Sequence, residues 1–297
     1  MRKRIKPIVL FVFFLSIFSF LLISKTVADI QRNQLARSKT TQEAKKTNQS
    51  KVPSSSSSDS VEELDQEFLN RPIIDISGWQ LPSEIDYDLL AQNVSGVIVR
   101  VHSGAQAKKE NAATYLNGID KSYETHIKEF QKRNIPVAVY AYVAAKDKKE
   151  MEKEAEEFYQ ASKKYKPTYY WLDVEEKTMG DMNAGVEAFR AKLASLGAKN
   201  IGIYIGTYFM EEHSISTDKF TALWIPTYGF DDGYYNAAPD TNTEYDLHQY
   251  TSQGQLNGFS HYLDLNQIAP TQDQEAIYRK LFKVQKDSSS SSSQNSS

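Results

Sequence analysis

Short runs of apolar, β-branched and aromatic residues recur regularly between Arg71 and Lys286. Each run has the length and composition of a β-strand, and polar or amphipathic segments separate one run from the next. The eight runs are Ile73–Ser77, Gly96–His102, Pro136–Ala144, Thr168–Glu175, Ile201–Gly206, Ala222–Tyr228, Asp246–Thr251 and Tyr262–Gln267. The pattern therefore predicts eight strands within one folded domain.

Amphipathic helices are predicted between the earlier strands. One apolar stripe with helical spacing covers Ile119–Phe130, and a second covers Met151–Ser162 within a highly charged segment. Asp181 is placed to cap a third helix, and Gly197 is placed to end it. Two further helices are predicted, a short one at Glu84–Asn93 and a closing one at Gln272–Lys283.

After the fifth strand the connecting segments change character. Residues 207–221, 229–245 and 252–261 are short or rich in Gly, Asn, Asp, Thr and Ser, which is typical of loops. The fold class predicted is α/β, a modified TIM-like barrel of five βα units followed by three strands with short non-helical links. The last two strands are expected to be antiparallel. An open doubly wound sheet is the competing fold, but the chain lacks a Gly-rich dinucleotide fingerprint.

The N-terminal residues predict export from the cytoplasm. Residues 2–6 (RKRIK) include four basic side chains, and the apolar run Ile8–Ile23 begins after Pro7. The length of this run suits either a signal peptide or a signal-anchor helix within residues 1–28, and an uncleaved anchor is slightly favoured. A polar tether at 29–69, a barrel domain at 70–286 and a Ser-rich tail at 287–297 complete the predicted organisation. The barrel is then extracytoplasmic, either anchored to the membrane or secreted.

Charge and cysteine content exclude several classes of function. Residues 1–53 hold 11 Lys or Arg against 2 Asp or Glu, a net charge of +9, whereas the rest of the chain holds 24 against 36, a net charge of −12. An acidic folded part argues against a nucleic-acid partner, because phosphate binding needs a basic surface. The chain has no Cys, which excludes disulfides, thiolate zinc sites and cysteine nucleophiles.

Four acids at predicted strand ends are the candidate catalytic groups. Asp173 and Glu175 are two residues apart on one strand, so their side chains face the same way with Cα atoms about 6.6 Å apart. Asp75 and Asp264 lie in the first and last strands, which are neighbours in a closed barrel. Crowded carboxylates raise the pKa of the more buried member, as a general acid in glycoside cleavage requires. The alternative is structural: these acids cap loops or pair with Arg100 and lysines.

Other chemistries have weaker support. The five histidines show no metal-ligand spacing, and the chain has neither a Gly-x-Ser-x-Gly elbow nor a phosphate-binding loop. No metal or cofactor is therefore expected. The 18 Tyr and 3 Trp are consistent with a carbohydrate cleft, although most of the tyrosines are expected to fill half-buried barrel positions.

At these residues the sequence resembles the glycoside hydrolase family 25 lysozymes. The matching segments follow the order of that family and cover about residues 71–285. They are Asp75–Gln80 (DISGWQ), Gly96–Val101 (GVIVRV), Pro136–Tyr142 (PVAVYAY), Trp171–Glu175 (WLDVE), Gly202–Gly206 (GIYIG), Leu223–Tyr228 (LWIPTY), His248–Ser252 (HQYTS) and Leu263–Asn266 (LDLN). One departure is His248, where the family often has Trp.

The resemblance implies a muramidase that hydrolyses the β-1,4 bond from N-acetylmuramic acid to N-acetylglucosamine in peptidoglycan. It assigns the role of general acid to Glu175. Asp173 becomes the second carboxylate, which assists the substrate's N-acetyl group or stabilises charge at the anomeric carbon, while Asp75 and Asp264 complete the acidic floor. The candidate substrate-binding residues are Trp79, Arg100, Tyr140, Tyr204, Trp224, Tyr228 and Gln249.

Two other functions remain open at this point. One is a different glycan hydrolase on the same barrel, of the chitinase or N-acetylglucosaminidase type. The other is a non-catalytic module that binds cell-wall glycan, against which the presence of all four acids counts. Peptidoglycan glycan strands are the expected partner, and the enzyme is expected to be a monomer.

Overall fold

The structure, a computed structural model, describes residues 66–104 and 110–283. Eight strands in this part close into one barrel in the order of the sequence. They are β1 (Ile73–Ile76), β2 (Gly96–His102), β3 (Val137–Tyr142), β4 (Tyr170–Val174), β5 (Ile201–Ile205), β6 (Ala222–Pro226), β7 (Leu247–Gly254) and β8 (Leu263–Ile268). The predicted export segment at 1–28, the tether up to residue 65 and the Ser-rich tail lie outside the described residues.

Strand direction also follows the prediction. Strands β1 to β7 are parallel to their neighbours, whereas β8 runs antiparallel to both β7 and β1. This closure places Asp75 of β1 directly opposite Asp264 of β8. The predicted α/β barrel of five βα units and three further strands is therefore confirmed.

Seven α-helices are found in the described part of the chain. They are α1 (Gln66–Leu69), α2 (Tyr87–Leu90), α3 (Tyr123–Lys132), α4 (Lys148–Ser162), α5 (Met182–Ser195), α6 (Thr207–Glu212) and α7 (Gln274–Phe282). Both predicted boundary signals of α5 are present. The Asp181 side chain accepts a hydrogen bond from the backbone N–H of Ala184 at 3.0 Å, and Gly197 has the positive φ of a helix end.

Three predicted boundaries differ from the structure. The stripe at Ile119–Phe130 is helical only from Tyr123, because Ile119 pairs as a β-bridge with His102. The predicted helix at 84–93 is divided into two 3₁₀ turns around the short helix α2. At the N-terminus, α1 begins before the expected boundary at residue 70, where Phe68 packs edge-on against Tyr278.

Side-chain alternation along the strands fills the barrel interior at its N-terminal end. Trp171 and Trp224 are buried inside the barrel, with ring centroids 5.6 Å apart. A Cβ at Gly202 would lie 2.3 Å from the Trp171 ring, so only glycine leaves room for that indole. Helix α7 closes this end, with Tyr278 donating a hydrogen bond to the backbone carbonyl of Ser95 at 2.7 Å. The opposite end is therefore the one where a ligand can enter.

None of the helices between residues 66 and 283, omitting 105–109, combines the length and apolar composition that a bilayer span requires.

Candidate active site

The four predicted acids meet in one cavity at the carboxyl ends of the parallel strands. The cavity has a volume of about 130 Å³, and Asp75, Asp173, Glu175 and Asp264 all line it. Five of the predicted substrate-binding residues line it as well: Tyr140, Tyr204, Trp224, Tyr228 and Gln249. These residues, all predicted from the sequence, come together from seven different strands and their ends.

Asp75 is buried and held by two amide side chains. Its Oδ2 accepts hydrogen bonds from Gln249 Nε2 at 2.9 Å and from Asn266 Nδ2 at 2.8 Å. Burial raises the pKa of Asp75 to about 6, although both hydrogen bonds oppose the rise, and the charge of Glu175 adds to it. Asp75 is thus fixed in position at the floor of the cavity.

Asp173 is buried and Asp264 is half-buried, and neither forms an ion pair with another residue in the described part of the chain. Burial raises the pKa of Asp173 well above its ordinary value, and the charge of Glu175 and a hydrogen bond with Glu175 add to the effect. Burial and then the charge of Asp75 raise the pKa of Asp264 to about 9. The cluster therefore retains protons at neutral pH, as the crowding of carboxylates predicts.

Glu175 differs from the other three acids in its exposure. It follows the last residue of β4 and is exposed, whereas Asp173, two residues earlier on the strand, is buried. Asp173 Oδ1 has no hydrogen-bond partner among the described residues. The pair therefore places one carboxyl at the mouth of the cavity and one beneath it.

Two tyrosines orient the amide that holds Asp75. Tyr204 Oη donates to Gln249 Oε1 at 2.7 Å, and Tyr228 Oη donates to the same oxygen at 2.6 Å. Because Gln249 Oε1 receives both hydroxyls, its Nε2 faces Asp75. These contacts connect strands β5, β6 and β7 to the acid on β1.

Asn266 is a site residue that sequence reasoning did not select. Its Oδ1 accepts a hydrogen bond from Trp224 Nε1 at 2.8 Å, and its Nδ2 donates to Asp75. Asn266 lies two residues after Asp264 on β8, so period-two alternation places it on the same interior face. The spacing of two residues from Asp264 is the sequence feature that indicates Asn266 as a site residue.

Arg100 and Trp79 do not line the acidic cavity. Arg100 points into the barrel, where its NH2 lies 3.1 Å from Oδ2 of the buried Asp120. Asp120 also accepts hydrogen bonds from the backbone N–H groups of Gly78 and Ser122, at 2.7 and 2.8 Å. Trp79 is 58% exposed on the loop after β1. Asp120, which sequence reasoning missed, thereby ties the Arg100 guanidinium to that loop.

His248 lies on the opposite face of β7 from Gln249, because neighbouring strand residues point in opposite directions. It is buried, and its Nε2 lies 2.9 Å from the backbone carbonyl oxygen of Thr227. Burial lowers the pKa of His248. The position where this sequence departs from the family pattern is therefore outside the acidic cavity.

Within residues 66–104 and 110–283, no three His, Asp or Glu side chains have the arrangement of a metal site.

Comparison with known proteins identifies the family of this barrel. The family model described as glycosyl hydrolases family 25 matches residues 74–259, which include Asp75, Asp173 and Glu175. The chain belongs to glycosyl hydrolases family 25. It is accordingly a glycoside hydrolase, and the enzyme class predicted from the sequence is confirmed. Asp264 lies beyond the C-terminal end of the match, although β8 places it opposite Asp75.

Solved structures agree with this assignment. A glycosyl hydrolase 25 of Streptococcus pneumoniae, described as a virulence factor participating in host cell invasion, is 64% identical, with a TM-score of 0.71 over 73% of this chain and 94% of its own. The catalytic domain of endolysin ply40, from bacteriophage P40 of Listeria monocytogenes, is 27% identical, with a TM-score of 0.61 over 71% of this chain and 96% of its own.

A family 25 glycosyl hydrolase from Bacillus anthracis shares the fold at 18% identity, with a TM-score of 0.54 over 75% of this chain and 98% of its own. No curated protein matches the chain.

Proposed function

We propose that this family 25 hydrolase cuts peptidoglycan glycan strands at the β-1,4 bond from N-acetylmuramic acid to N-acetylglucosamine. The observation that carries the proposal is the cavity in which Asp75, Asp173, Glu175 and Asp264 converge at the open end of the barrel. Cleavage of a glycosidic bond needs one carboxyl that donates a proton and one that stabilises positive charge at the anomeric carbon. The relative from bacteriophage P40 is named an endolysin, which supports a cell-wall substrate.

Glu175 is the proposed general acid. It is the exposed member of the cluster, so its carboxyl can reach the oxygen of the sugar that leaves. Its hydrogen bond with Asp173 allows the two carboxyls to share one proton. When Glu175 donates that proton, the bond between the anomeric carbon and the bridging oxygen breaks, and the leaving sugar departs with a free hydroxyl. Water then forms the new bond to the anomeric carbon and returns a proton to the Glu175 carboxylate.

Asp173 is the proposed second carboxylate. It lies beneath Glu175, and its Oδ1 has no hydrogen-bond partner among the described residues, so that oxygen can accept from or stabilise a substrate group. In this position it assists the substrate's N-acetyl group or stabilises the positive charge that develops at the anomeric carbon. Asp75 and Asp264 form the floor of the cavity. The negative charge of Asp75 favours the protonated forms of Asp173 and Asp264, so protons stay within the cluster.

Substrate binding is assigned to the polar and aromatic side chains around the acids. Tyr140, Tyr204, Trp224, Tyr228 and Gln249 line the cavity with them. Trp79 is proposed to contact sugar at the rim because its ring is exposed on the loop after β1. Arg100 is proposed to act on the cluster through its charge, which opposes the rise that burial causes in the pKa of Asp173.

Action outside the cytoplasm is part of the proposal. Peptidoglycan lies outside the cytoplasmic membrane, and the basic residues 2–6 before the apolar run Ile8–Ile23 are typical of an export signal. We propose that this segment delivers the barrel to the wall as a signal peptide or an uncleaved anchor, with a tether that ends before α1 at Gln66. Fractionation of cells and mass determination of the N-terminal peptide distinguish the two forms.

The test of the activity is the chemistry of the new chain ends. The full-chain protein is incubated with purified peptidoglycan, the products are reduced with borohydride, and the reduced amino sugars are identified by mass spectrometry. We expect reduced N-acetylmuramic acid, and we expect Glu175→Gln protein to release almost none.

Two other results would replace the proposal. Reduced N-acetylglucosamine at the new ends would make the protein an N-acetylglucosaminidase on the same barrel. Binding to peptidoglycan without any release of reducing ends would make it a glycan-binding module.

A further inference from the structure

A separate cavity lies at the closed end of the barrel, with a volume of about 150 Å³. Asn70 and Arg71, which precede β1, line it together with Gln267 near the end of β8. Gln274, the first residue of α7, and Tyr250 of β7 line it as well. A cavity of this volume is too small for a drug-sized ligand and suits a single chemical group. It is distinct from the acidic cavity, which none of these five residues lines.

Arg71 gives this cavity its charge. Among the described residues that line the cavity, it alone is charged. Arg71 is half-buried, and its guanidinium carbon lies over the Phe68 ring, 5.6 Å from the ring centroid. It forms no ion pair within residues 66–104 and 110–283, whereas the other arginines of this part each pair with a carboxylate: Arg100, Arg133, Arg190 and Arg279. The hydrogen-bonding capacity of Arg71 is therefore left for a ligand.

The neutral polar side chains around the guanidinium also retain donors. The side chains of Asn70, Gln267 and Tyr250 form no hydrogen bond with another residue of the described chain. Each carries at least one N–H or O–H group that can donate to an acceptor in the cavity. Gln274 differs, because its Nε2 donates to the backbone carbonyl of Ala269 at 2.9 Å and so fixes the start of α7 beside the end of β8.

No acid lines the cavity among the described residues, and the two acids that flank Gln274 have other partners. Asp273 caps α7 by accepting a hydrogen bond from a backbone N–H at 2.9 Å. Glu275 pairs with Arg279 one helical turn later. Glu67 on α1 does not line the cavity either. The cavity is therefore positively charged, although the folded part of the chain as a whole is acidic.

The number of donors indicates which anion the cavity suits. The planar guanidinium can donate to two oxygens of one ligand at the same time. A carboxylate has only two oxygens, so the guanidinium alone would satisfy it and the amide and hydroxyl donors would have no acceptor. A phosphate group has further oxygens that point away from the guanidinium, towards the walls that carry Gln267 and Tyr250. The donor set therefore favours a tetrahedral oxyanion.

We propose that the cavity around Arg71 is a binding site for a phosphate group. Arg71 binds two of the phosphate oxygens, and the side chains of Asn70, Gln267 and Tyr250 donate to the others. The group can belong to a small phosphorylated ligand or to a phosphodiester, and these two sources differ in charge. Because the site lies at the closed end, a bound phosphate leaves the acidic cavity unobstructed.

The test is calorimetric titration of the full-chain protein with inorganic phosphate. We expect saturable binding at one site, and Arg71→Gln should weaken it at least about 10-fold because charge-assisted hydrogen bonds are lost. Gln267→Ala removes one neutral donor and should weaken binding about 2- to 10-fold. Arg190→Gln is the matched control, because it removes the same charge from an arginine that pairs with Glu187 and does not line the cavity. Thermal unfolding checks that each variant is folded.

Glycerol 1-phosphate and a glycerophosphodiester, titrated in the same way, separate the two sources. Tighter binding of the monoester, dependent on Arg71, would indicate a small phosphorylated ligand. Equal or tighter binding of the diester, again dependent on Arg71, would indicate the phosphodiester of a polymer or of a lipid headgroup. Either result supports the phosphate site.

Three results would overturn it. The absence of saturable phosphate binding at millimolar concentrations would leave Arg71 without an anionic ligand. Equal losses in Arg71→Gln and Arg190→Gln would show that phosphate responds only to the overall charge of the protein. Acetate that binds as tightly as phosphate would show that the amide and hydroxyl donors do not contribute, and the site would then be one for carboxylates.

Discussion

The two ends of the barrel both bury an acid, but they surround it differently. At the closed end, Asp246 accepts a hydrogen bond from the backbone N–H of Leu223 at 3.0 Å and forms an ion pair with Lys280 at 2.6 Å. At the open end, Asp173 and Asp264 lie close to other acids, and burial and then the charges of those acids raise their pKa. An acid beside a cation stabilises a fold, whereas acids that face each other destabilise it unless they bind protons.

The difference shows where this protein gives up stability for chemistry. A buried acid is costly wherever it lies, and the closed end offsets that cost with Lys280. At the open end, hydrogen bonds from the amides of Gln249 and Asn266 offset part of the cost of burying Asp75. These donors are neutral, so they add no positive charge to the cluster. Five changes, in order of decreasing effect, test this contrast.

The largest effect is expected for Glu175→Gln at the open end. The amide cannot act as a general acid, so kcat on peptidoglycan should fall roughly 10²–10⁴-fold, with an unchanged melting temperature. Glu176→Gln is the matched control, because Glu176 is also exposed but does not line the acidic cavity. Similar losses in both variants would remove the special role of Glu175.

A paired acid at the open end should behave as a structural group. Asp120→Ala leaves the buried Arg100 guanidinium without its carboxylate, so the free energy of unfolding should fall by about 3–5 kcal/mol in urea titrations. The exposed pair of Glu124 with Lys128, 3.2 Å apart, is the control, and Glu124→Ala should cost about 0–1 kcal/mol. Equal costs would mean that the Arg100 pair is no more important than a surface pair.

Removing one acid from each end should change stability in opposite directions. The pKa of Asp264 rises from 3.8 to about 9 on folding, so its contribution to stability is complete below pH 4 and is lost as the pH rises towards 9. Asp264→Asn should therefore be more stable than wild type in alkaline buffer. The difference should widen between pH 5 and 9 by at most about 1.4 kcal/mol per pH unit.

Asp246→Asn loses the charge that Lys280 and the Leu223 backbone N–H both contact. Its free energy of unfolding at pH 7 should fall by about 1–3 kcal/mol. Urea titrations of both variants at several pH values measure the contrast. A gain in stability from Asp246→Asn, or a loss from Asp264→Asn at pH 9, would contradict it.

The interior of the closed end should tolerate no added volume. Gly202→Ala places a methyl group 2.3 Å from the Trp171 ring, so the free energy of unfolding should fall by about 1–3 kcal/mol. Gly206→Ala meets nothing within 4 Å and should stay within about 0.5 kcal/mol of wild type. Thermal unfolding of both variants measures the difference, and equal melting temperatures would show that the indole can move aside.

No effect is expected from a chelator. The acids of the open end are proposed to act through protons alone, so EDTA should leave the rate of reducing-end release unchanged. Loss of activity that one divalent cation restores would show that the carboxylates hold a metal during catalysis.

Much of the site could be predicted because strands repeat every two residues. Asp173 and Glu175 share a direction for that reason, and the antiparallel closure expected of the last strand placed Asp264 against Asp75. The region 119–130 was harder to predict. Its apolar spacing suits a helix, yet Ile119 forms a β-bridge with His102, because a tertiary contact overrides local periodicity.

Pairings between distant segments could not be predicted. Nothing near Asp120 in the sequence indicates that its carboxylate would meet Arg100 and the Gly78 backbone, since those contacts arise only when two separate loops converge on strand β2. The hydrogen bonds from Thr251 and Ser252 of β7 to Asp231, on the loop after β6, are likewise contacts between separate segments.

The sequence by itself determined the eight strands, the barrel they form and the four acids at its open end, because alternation and strand ends are local properties. Only the tertiary structure decided which acids have a cation beside them and which have other acids. That distinction depends on the distance between side chains from strands far apart along the chain. The electrostatic free energy of a buried charge is set by those neighbours rather than by its own position in the sequence.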